Sequence, residues 1–360
     1  LTQLLDALAG HPRVSLGRNA PLTVGATSWR VPVEATLDAS VSLAGGEGQA
    51  RLDLTRTGTG PAGQIDLTAA FANQSGILAI DLQMIEDAGG IAATLMGLPG
   101  APPVELTVKG EGPLTDYTAD LRLASDGAER LAGTVKLGSG SAPGDTRFAL
   151  DLGGDPAPLF LPEYAEFFGS EVVLAAQGEK RADGRLEIST FGLTTRALSL
   201  AGDLALAPDG LPQRFDVTGR LGLDGRPVLL PIARKRPTYL QKADLALQFD
   251  AAQADLWSLD LRMTGLDTPD LDLAEASARG GGAISRPEGK PLAEGMIDFD
   301  ATGVAATDPA LARAIGDALR GRVGFRWQEG QDALALPVLQ IEGADFGFDG
   351  ELAIGGLQSA

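Results

Sequence analysis

Residues 86–138 read EDAGGIAATLMGLPGAPPVELTVKGEGPLTDYTADLRLASDGAERLAGTVKLG, and their pattern decides the fold class. A short apolar segment, Ile91 to Leu98, is stopped by Pro99-Gly100. Three alternating runs follow. Val104, Leu106 and Val108 alternate with Glu105, Thr107 and Lys109; Ala119, Leu121 and Leu123 with Asp120, Arg122 and Ala124; Gly133, Val135 and Leu137 with Thr134, Lys136 and Gly138. A period of two sends alternate side chains to opposite faces of a sheet. Each run therefore has one apolar and one wet face, as in an antiparallel sheet open to water on one side. Gly112-Pro113 and Asp126-Gly127 supply the residues that tight connections need. The expectation is a short helix followed by hairpins that share one apolar face.

The same theme runs outward in both directions. Leu1 to Ala9 reads as the end of a helix stopped by Gly10, and Val14 to Ile85 as almost continuous strand. Downstream, strands are expected at Phe148–Leu152, Val172–Ala176, Leu186–Ile188, Leu198–Leu206, Phe215–Leu223, Leu245–Phe249 and Trp257–Met263, and weakly at Leu271–Leu273. Asp183-Gly184, Asp209-Gly210 and Asp224-Gly225 mark hairpins between them. Asp155-Pro156 opens a helix that Pro158 and Pro162 keep short and broken. The clearest helix signal is Asp308 to Arg320, capped by Asp308, with Leu311, Ile315 and Leu319 four apart and Gly321 as its stop. Strands then resume at Val323–Trp327, Leu334–Val338 and Phe346–Ile354.

Helix-then-strands units thus start near residues 1, 87, 155 and 307, a loose repeat within one extended segment over residues 1–360. About 20 strands at about 4.8 Å spacing would make a sheet on the order of 95 Å across, which must curl or fold over. The fold class expected is mainly β: an elongated, curled antiparallel sheet forming a groove, with a few short helices inside it or at its rims.

Composition narrows the function. The chain has 360 residues, net charge −19, 5% aromatics, 48 Gly, 22 Pro and no Cys. An acidic chain lacks the basic stripe that nucleic acid requires, and simple docking on anionic lipid is disfavoured for the same reason. The lack of Cys removes disulfide and thiol chemistry and fits an oxidising compartment. No apolar run approaches the roughly 20 residues of a membrane-spanning helix. The chain opens at Leu1 without an initiator Met or signal peptide, which points to an internal piece of a longer protein.

Motifs for chemistry are weak. Gly58 to Gly63 matches G-x-G-x-x-G, but Gln64-Ile65-Asp66-Leu67-Thr68 continues as a strand where the dinucleotide fingerprint needs a helix. His11 is the single histidine and sits in a Pro-containing turn, so neither a metal centre nor a triad is expected. Asp267, Asp270 and Asp272 lack EF-hand spacing. Arg234-Lys235-Arg236 is the one basic cluster, read as a solvated loop or a meeting point for an anionic head group. No enzyme, metal or cofactor is expected.

The order of these blocks resembles a known family. IAATLMGLPGAPPVELTVKGEGPLTDYTADLRLASDGAERLAGTVKL is similar to the repeating middle of the TamB proteins, in the AsmA-like superfamily of Gram-negative bacteria. FALDLGGDPAPLFLPEYAEFFG, ADLALQFDAAQADLWSLDLRMTGL and TDPALARAIGDALRGRVGFRWQEG resemble further blocks of the same proteins. The resemblance implies a periplasm-spanning protein held in the inner membrane by an N-terminal helix, whose C-terminal domain meets TamA, an outer-membrane barrel. It implies a role in outer-membrane biogenesis and membership of the bridge-like lipid transfer proteins, whose taco-shaped sheet carries acyl chains. No catalytic residue is carried over.

The expected ligand is phospholipid. Taking a 16-carbon chain into water costs on the order of 10 kcal/mol at about 0.8 kcal/mol per CH₂, and an apolar groove removes most of that cost. Candidate lining residues are Val104, Leu106, Val108, Leu121, Leu123, Val135, Leu137, Leu204, Leu206, Val217, Leu247, Phe249, Phe325 and Phe348. The competing reading is a scaffold for outer-membrane protein assembly that offers sheet edges for strand addition, with the TamA barrel as partner.

Overall fold

The computed structural model describes residues 13–24, 33–44, 47–95, 98, 100–160, 162–232, 236–331 and 333–355. Most of these residues lie in antiparallel strands, with a few short helices. The chain divides into two compact units, Leu1–Ala165 with Ser170–Ala182, and Glu166–Gly169 with Asp183–Ala360.

The first unit is a meander of β1 (Arg13–Val24), β2 (Val33–Ala44), β3 (Glu47–Arg56), β4 (Gly63–Ala72), β5 (Ile77–Glu86), β6 (Val104–Pro113), β7 (Asp116–Ser125), β8 (Ala128–Ser139), β9 (Thr146–Gly154) and β10 (Val172–Lys180). Each strand pairs antiparallel with the next. The second unit comprises β11 (Leu186–Thr194), β12 (Leu198–Leu206), β13 (Pro212–Gly222), β14 (Val228–Leu229), β15 (Tyr239–Asp250), β16 (Ala254–Asp267), β17 (Leu271–Ser285), β18 (Leu292–Ala306), β19 (Ala318–Gln328), β20 (Ala333–Glu342) and β21 (Gly347–Gly355). It is also a meander, except that β13 pairs directly with β15 while the two-residue β14 pairs with the start of β15. Neither unit closes into a barrel: among the described residues no pairing joins β1 to β10 or β11 to β21.

Local chemistry explains the hairpins. Asp126-Gly127 and Asp224-Gly225 both take positive φ, 53° and 71° in the first and 48° and 74° in the second. Positive φ at both central positions is the turn whose twist matches that of paired strands. The polar faces then fix the register. In the second unit Asp260, Arg279, Asp298 and Arg322 stand directly opposite one another on β16, β17, β18 and β19. Their ion pairs span 3.4 Å for Arg279–Asp260 and 2.5 Å for Arg322–Asp298. Each exposed pair contributes little to stability. Opposed unlike charges nevertheless favour this register over a slipped one, which would also turn the apolar side chains to the wrong face.

The sheet of the second unit bends. Arg286, in the β17–β18 turn, pairs through both guanidinium nitrogens with the Asp209 carboxylate in the β12–β13 turn. Those turns are four strand spacings apart, about 19 Å on a flat sheet at 4.8 Å each. Contact between the two side chains therefore requires curvature.

Several expectations need correction. The helix read over Asp308 to Arg320 is only α3, Pro309–Ile315. The Asp308 side chain accepts from the Ala310 and Leu311 amides as expected, but Gly316 takes φ 70° and the chain leaves the helix. Leu319 belongs to β19 and pairs with Ala301. Its spacing from Ile315 fitted a helix, but the free edge of β18 captured it. Gly112 and Pro113 close β6, and the turn falls at Leu114-Thr115. The weak signal at Leu271–Leu273 is the start of a 15-residue strand, and β18, also 15 residues, was not anticipated. Gly280-Gly281-Gly282 hides the alternation of β17, whereas β18 does alternate, Ile297, Phe299 and Ala301 with Asp298, Asp300 and Thr302, and was passed over. The helices expected near residues 93 and 162 are present as α1 (Ile91–Leu95) and as a 3-10 turn, Pro162–Tyr164, running into α2 (Ala165–Phe168). The helix expected at Leu1–Ala9, His11, and Arg234 and Lys235 lie outside the described residues.

Candidate functional site: an apolar face carried across the strands

Register converts the alternation of single strands into apolar rows that cross each unit. In the first unit, Leu54, Ile65, Met84, Leu106, Leu123 and Leu131 stand opposite one another on six successive strands. Beside them runs a second row, Leu52, Leu67, Leu82, Val108 and Leu121. Val135 and Leu137 of β8 extend the face, opposite Ala119 and Tyr117 and then Leu150 and Phe148. Every residue of the two leading rows is half-buried, neither sealed off nor fully exposed.

Val104 departs from this pattern. It starts β6 opposite Glu86 and is 0% exposed, so it belongs to a closed end of the face. Glu86 is also buried, and both its oxygens accept from the first amides of α1, Ile91 at 2.5 Å and Ala92 at 2.6 Å. A buried carboxylate is tolerable when backbone donors satisfy it, and these amides have no partner within their own helix. That cap holds α1 at this end of β5 and β6.

In the second unit the corresponding rows are Val217, Leu247, Leu259, Gly280, Ile297 and Val323, and Leu200, Gly219, Leu245, Leu261, Ala278 and Phe299. All are half-buried. Helical insertions cover one end of the face. Phe167 of α2 packs with Ala197, Leu223 and Val228, against Leu198 and Leu221. Thr195 anchors this insertion: its buried hydroxyl donates to the Phe167 carbonyl and accepts from the Leu198 amide, both at 2.9 Å. Ile315 of α3 packs with Ala301 and Val304, against Leu273 and Leu319.

The other strand ends carry an aromatic row. Leu204 stands opposite Phe215, Phe215 opposite Phe249 and Phe249 opposite Trp257. Phe249 is 3% and Trp257 6% exposed. The row continues through Gly282 and Gly295 to Phe325, and the Trp257 ring reaches over to Phe325 with 5.6 Å between centroids. The indole N–H donates to the Glu294 carbonyl at 3.1 Å. Gly295 is what permits this, since a Cβ there would lie 2.2 Å from Trp257 Cζ2. Phe299 lies over Gly321 in the same way, with its ring tip 2.5 Å from where a Cβ would be. Aromatic rings thus lie flat along the sheet over neighbouring glycines.

The expected lining residues therefore fall into three groups. Leu106, Val108, Leu121, Leu123, Val135 and Leu137 share the half-buried face of the first unit, and Leu204, Leu206, Val217 and Leu247 that of the second, with Phe325 half-buried beside Trp257. Val104 and Phe249 are buried, and Phe348, on β21, is 48% exposed. Sequence reasoning passed over Tyr117, Phe215 and Trp257 as lining residues. Alternation with Ala119 and with Leu259 puts Tyr117 and Trp257 on the apolar side, but the glycines beneath them emerge only from register.

The polar motifs resolve structurally. Gly58 to Gly63 is the connection from β3 into β4, with no helix after it. Asp270 forms a two-pronged ion pair with Arg236, at 2.5 and 2.7 Å. On the polar face of the first unit, Asp53 of β3 stands opposite both Asp38 of β2 and Asp66 of β4. The Arg51 guanidinium holds the Asp53 carboxyl below the usual range, while its hydrogen bond with Asp53 pushes Asp66 above it.

No protein-family model, no curated protein and no solved structure matches the chain.

Proposed function

We propose that the chain is a segment of a TamB-like, non-enzymatic lipid conduit, in which phospholipid acyl chains lie on the apolar face of the sheet. The observation that carries this reading is the run of half-buried apolar side chains over β3 to β8 of the first unit, matched in the second unit by rows that Gly219 and Gly280 interrupt. A closed core of this size would bury large side chains completely. Here the large buried side chains among the described residues, such as Phe167, Phe249 and Trp257, lie toward the strand ends, and the rows between them stay half-buried. Apolar surface left half-open in such rows is suited to a mobile apolar ligand, and burying an acyl chain there recovers about 0.8 kcal/mol per CH₂. In this reading the protein works in the periplasm in support of outer-membrane biogenesis, and its inner-membrane anchor and contact with a TamA-like barrel belong to other segments.

The test is mass spectrometry of lipids that co-purify without detergent, with a photo-crosslinker placed at Leu106 or at Thr107, which face opposite sides of β6. Phospholipid labelled from Leu106 and not from Thr107 is expected. Absence of bound lipid, with both positions silent, would refute the conduit.

A further inference from the structure

One polar group stands out on the apolar face of the first unit. Tyr117, on β7 opposite Leu137, is 4% exposed, and its hydroxyl has no hydrogen-bond partner among the described residues. The ring lies flat toward β6 over Gly110, where a Cβ would come within 2.6 Å of the hydroxyl oxygen. Buried polar side-chain atoms nearly always have a partner, and a tyrosine hydroxyl left without one is destabilising relative to phenylalanine. Phenylalanine would fill the same space over Gly110 and match the Leu, Val and Ala around it. The hydroxyl is therefore an available donor in an otherwise apolar strip.

We propose that Tyr117 is a ligand-binding residue whose hydroxyl donates a hydrogen bond to the ester carbonyl of an acyl lipid lying on this face. This inference rests on the conduit reading and adds to it a residue that distinguishes an ester linkage from an ether. The chemistry fits the occupant. An acyl ester is apolar along its chain and carries one strong acceptor where chain meets glycerol, and it has no donor that would need a second polar partner in the strip. Rotation of the ring about its side-chain torsions lifts the hydroxyl off Gly110 toward a chain lying above the strands. Binding thus satisfies a donor that folding leaves unsatisfied, and the same hydroxyl serves recognition while weakening the empty protein.

The test compares the full chain with Tyr117→Phe. Each is offered mixed vesicles containing equal diacyl phosphatidylethanolamine and its dialkyl ether analogue with the same chain lengths, and retained lipid is quantified by mass spectrometry. The wild type is expected to favour the ester about three- to tenfold, the range of a single net hydrogen bond. Y117F is expected to retain both lipids equally and to unfold at higher urea concentration than the lipid-free wild type. Equal retention of ester and ether by the wild type would overturn the role of Tyr117 while leaving the conduit intact. A less stable Y117F would also overturn it, because the hydroxyl would then have a partner within the protein. Retention of neither lipid by the wild type would refute the conduit reading itself, and this inference with it.

Discussion

Replacing Gly295 with alanine tests whether the aromatic row of the second unit is held as described. The added methyl would sit 2.2 Å from Trp257 Cζ2 and 2.8 Å from the Gly281 carbonyl oxygen. Neither approach is tolerable, and the carbonyl belongs to a paired strand that cannot move alone. The indole must lift, which breaks its 3.1 Å hydrogen bond to Glu294 and its contact with Phe325. The lost hydrogen bond costs about 0.5–1.5 kcal/mol and the aromatic pair a similar amount, so a destabilisation of about 1–3 kcal/mol is expected. Urea unfolding measures it, and the emission of Trp257 in a background with Trp29 and Trp327 changed to Phe reports the lifted ring. Gly347→Ala is the control, since nothing lies within 4 Å of its added methyl. Most of the G295A cost should vanish when Trp257 is already Ala, leaving the part due to Gly281. The reasoning fails if G295A is as harmless as G347A, or if its cost is unchanged without the indole.

Other perturbations probe the remaining parts. Asp308→Ala removes the cap that accepts from the Ala310 and Leu311 amides, and circular dichroism with urea unfolding should show a loss of about 1 kcal/mol and frayed α3. Thr195→Val removes the hydroxyl that accepts from the Leu198 amide and donates to the Phe167 carbonyl, which keeps the Ala197 amide, for a loss of about 1 kcal/mol in the same unfolding assay. The Arg286 guanidinium holds the Asp209 carboxyl below the usual range. A depressed carboxylate contributes stability above its unfolded pKa of about 3.9 and loses it as pH falls through the folded value, so wild type should exceed Asp209→Asn in stability at pH 6 and converge with it in acid. Burial pushes the Tyr117 phenol up. Wild type should therefore lose stability relative to Y117F as pH rises above about 10, followed by unfolding at graded alkaline pH.

Much of this architecture was legible because strands with one wet face carry their orientation in alternating side chains. Leu106 and Thr107 fall on opposite faces by parity alone, and Asp126-Gly127 announces its turn by composition. Parity gave the face of each apolar side chain and not its degree of burial. What was not legible depended on partners. β18 carried a period of two at Ile297, Phe299 and Ala301, but its Gly- and Ala-rich ends set no bounds, and its full 15 residues became visible only beside β17 and β19. Leu319 satisfied helical and strand periods at once, and Gly316 with the waiting edge of β18 decided between them. Whether a leucine on the apolar face would be half-buried or sealed depended on which insertion folded over it. Glu86 capping α1 closed the end of the face at Val104, and no spacing in the sequence encodes that distance.

In both meanders, each strand contacts chiefly the strands before and after it in the chain. Such a sheet has no keystone: its length is a count rather than a design. Removing one strand would reverse the direction of everything downstream, whereas removing or doubling a hairpin would restore both direction and facing. Strands can therefore be gained or lost in pairs, and the span of the apolar face can be adjusted in steps of about 10 Å, two strand spacings, without redesigning any surface that remains.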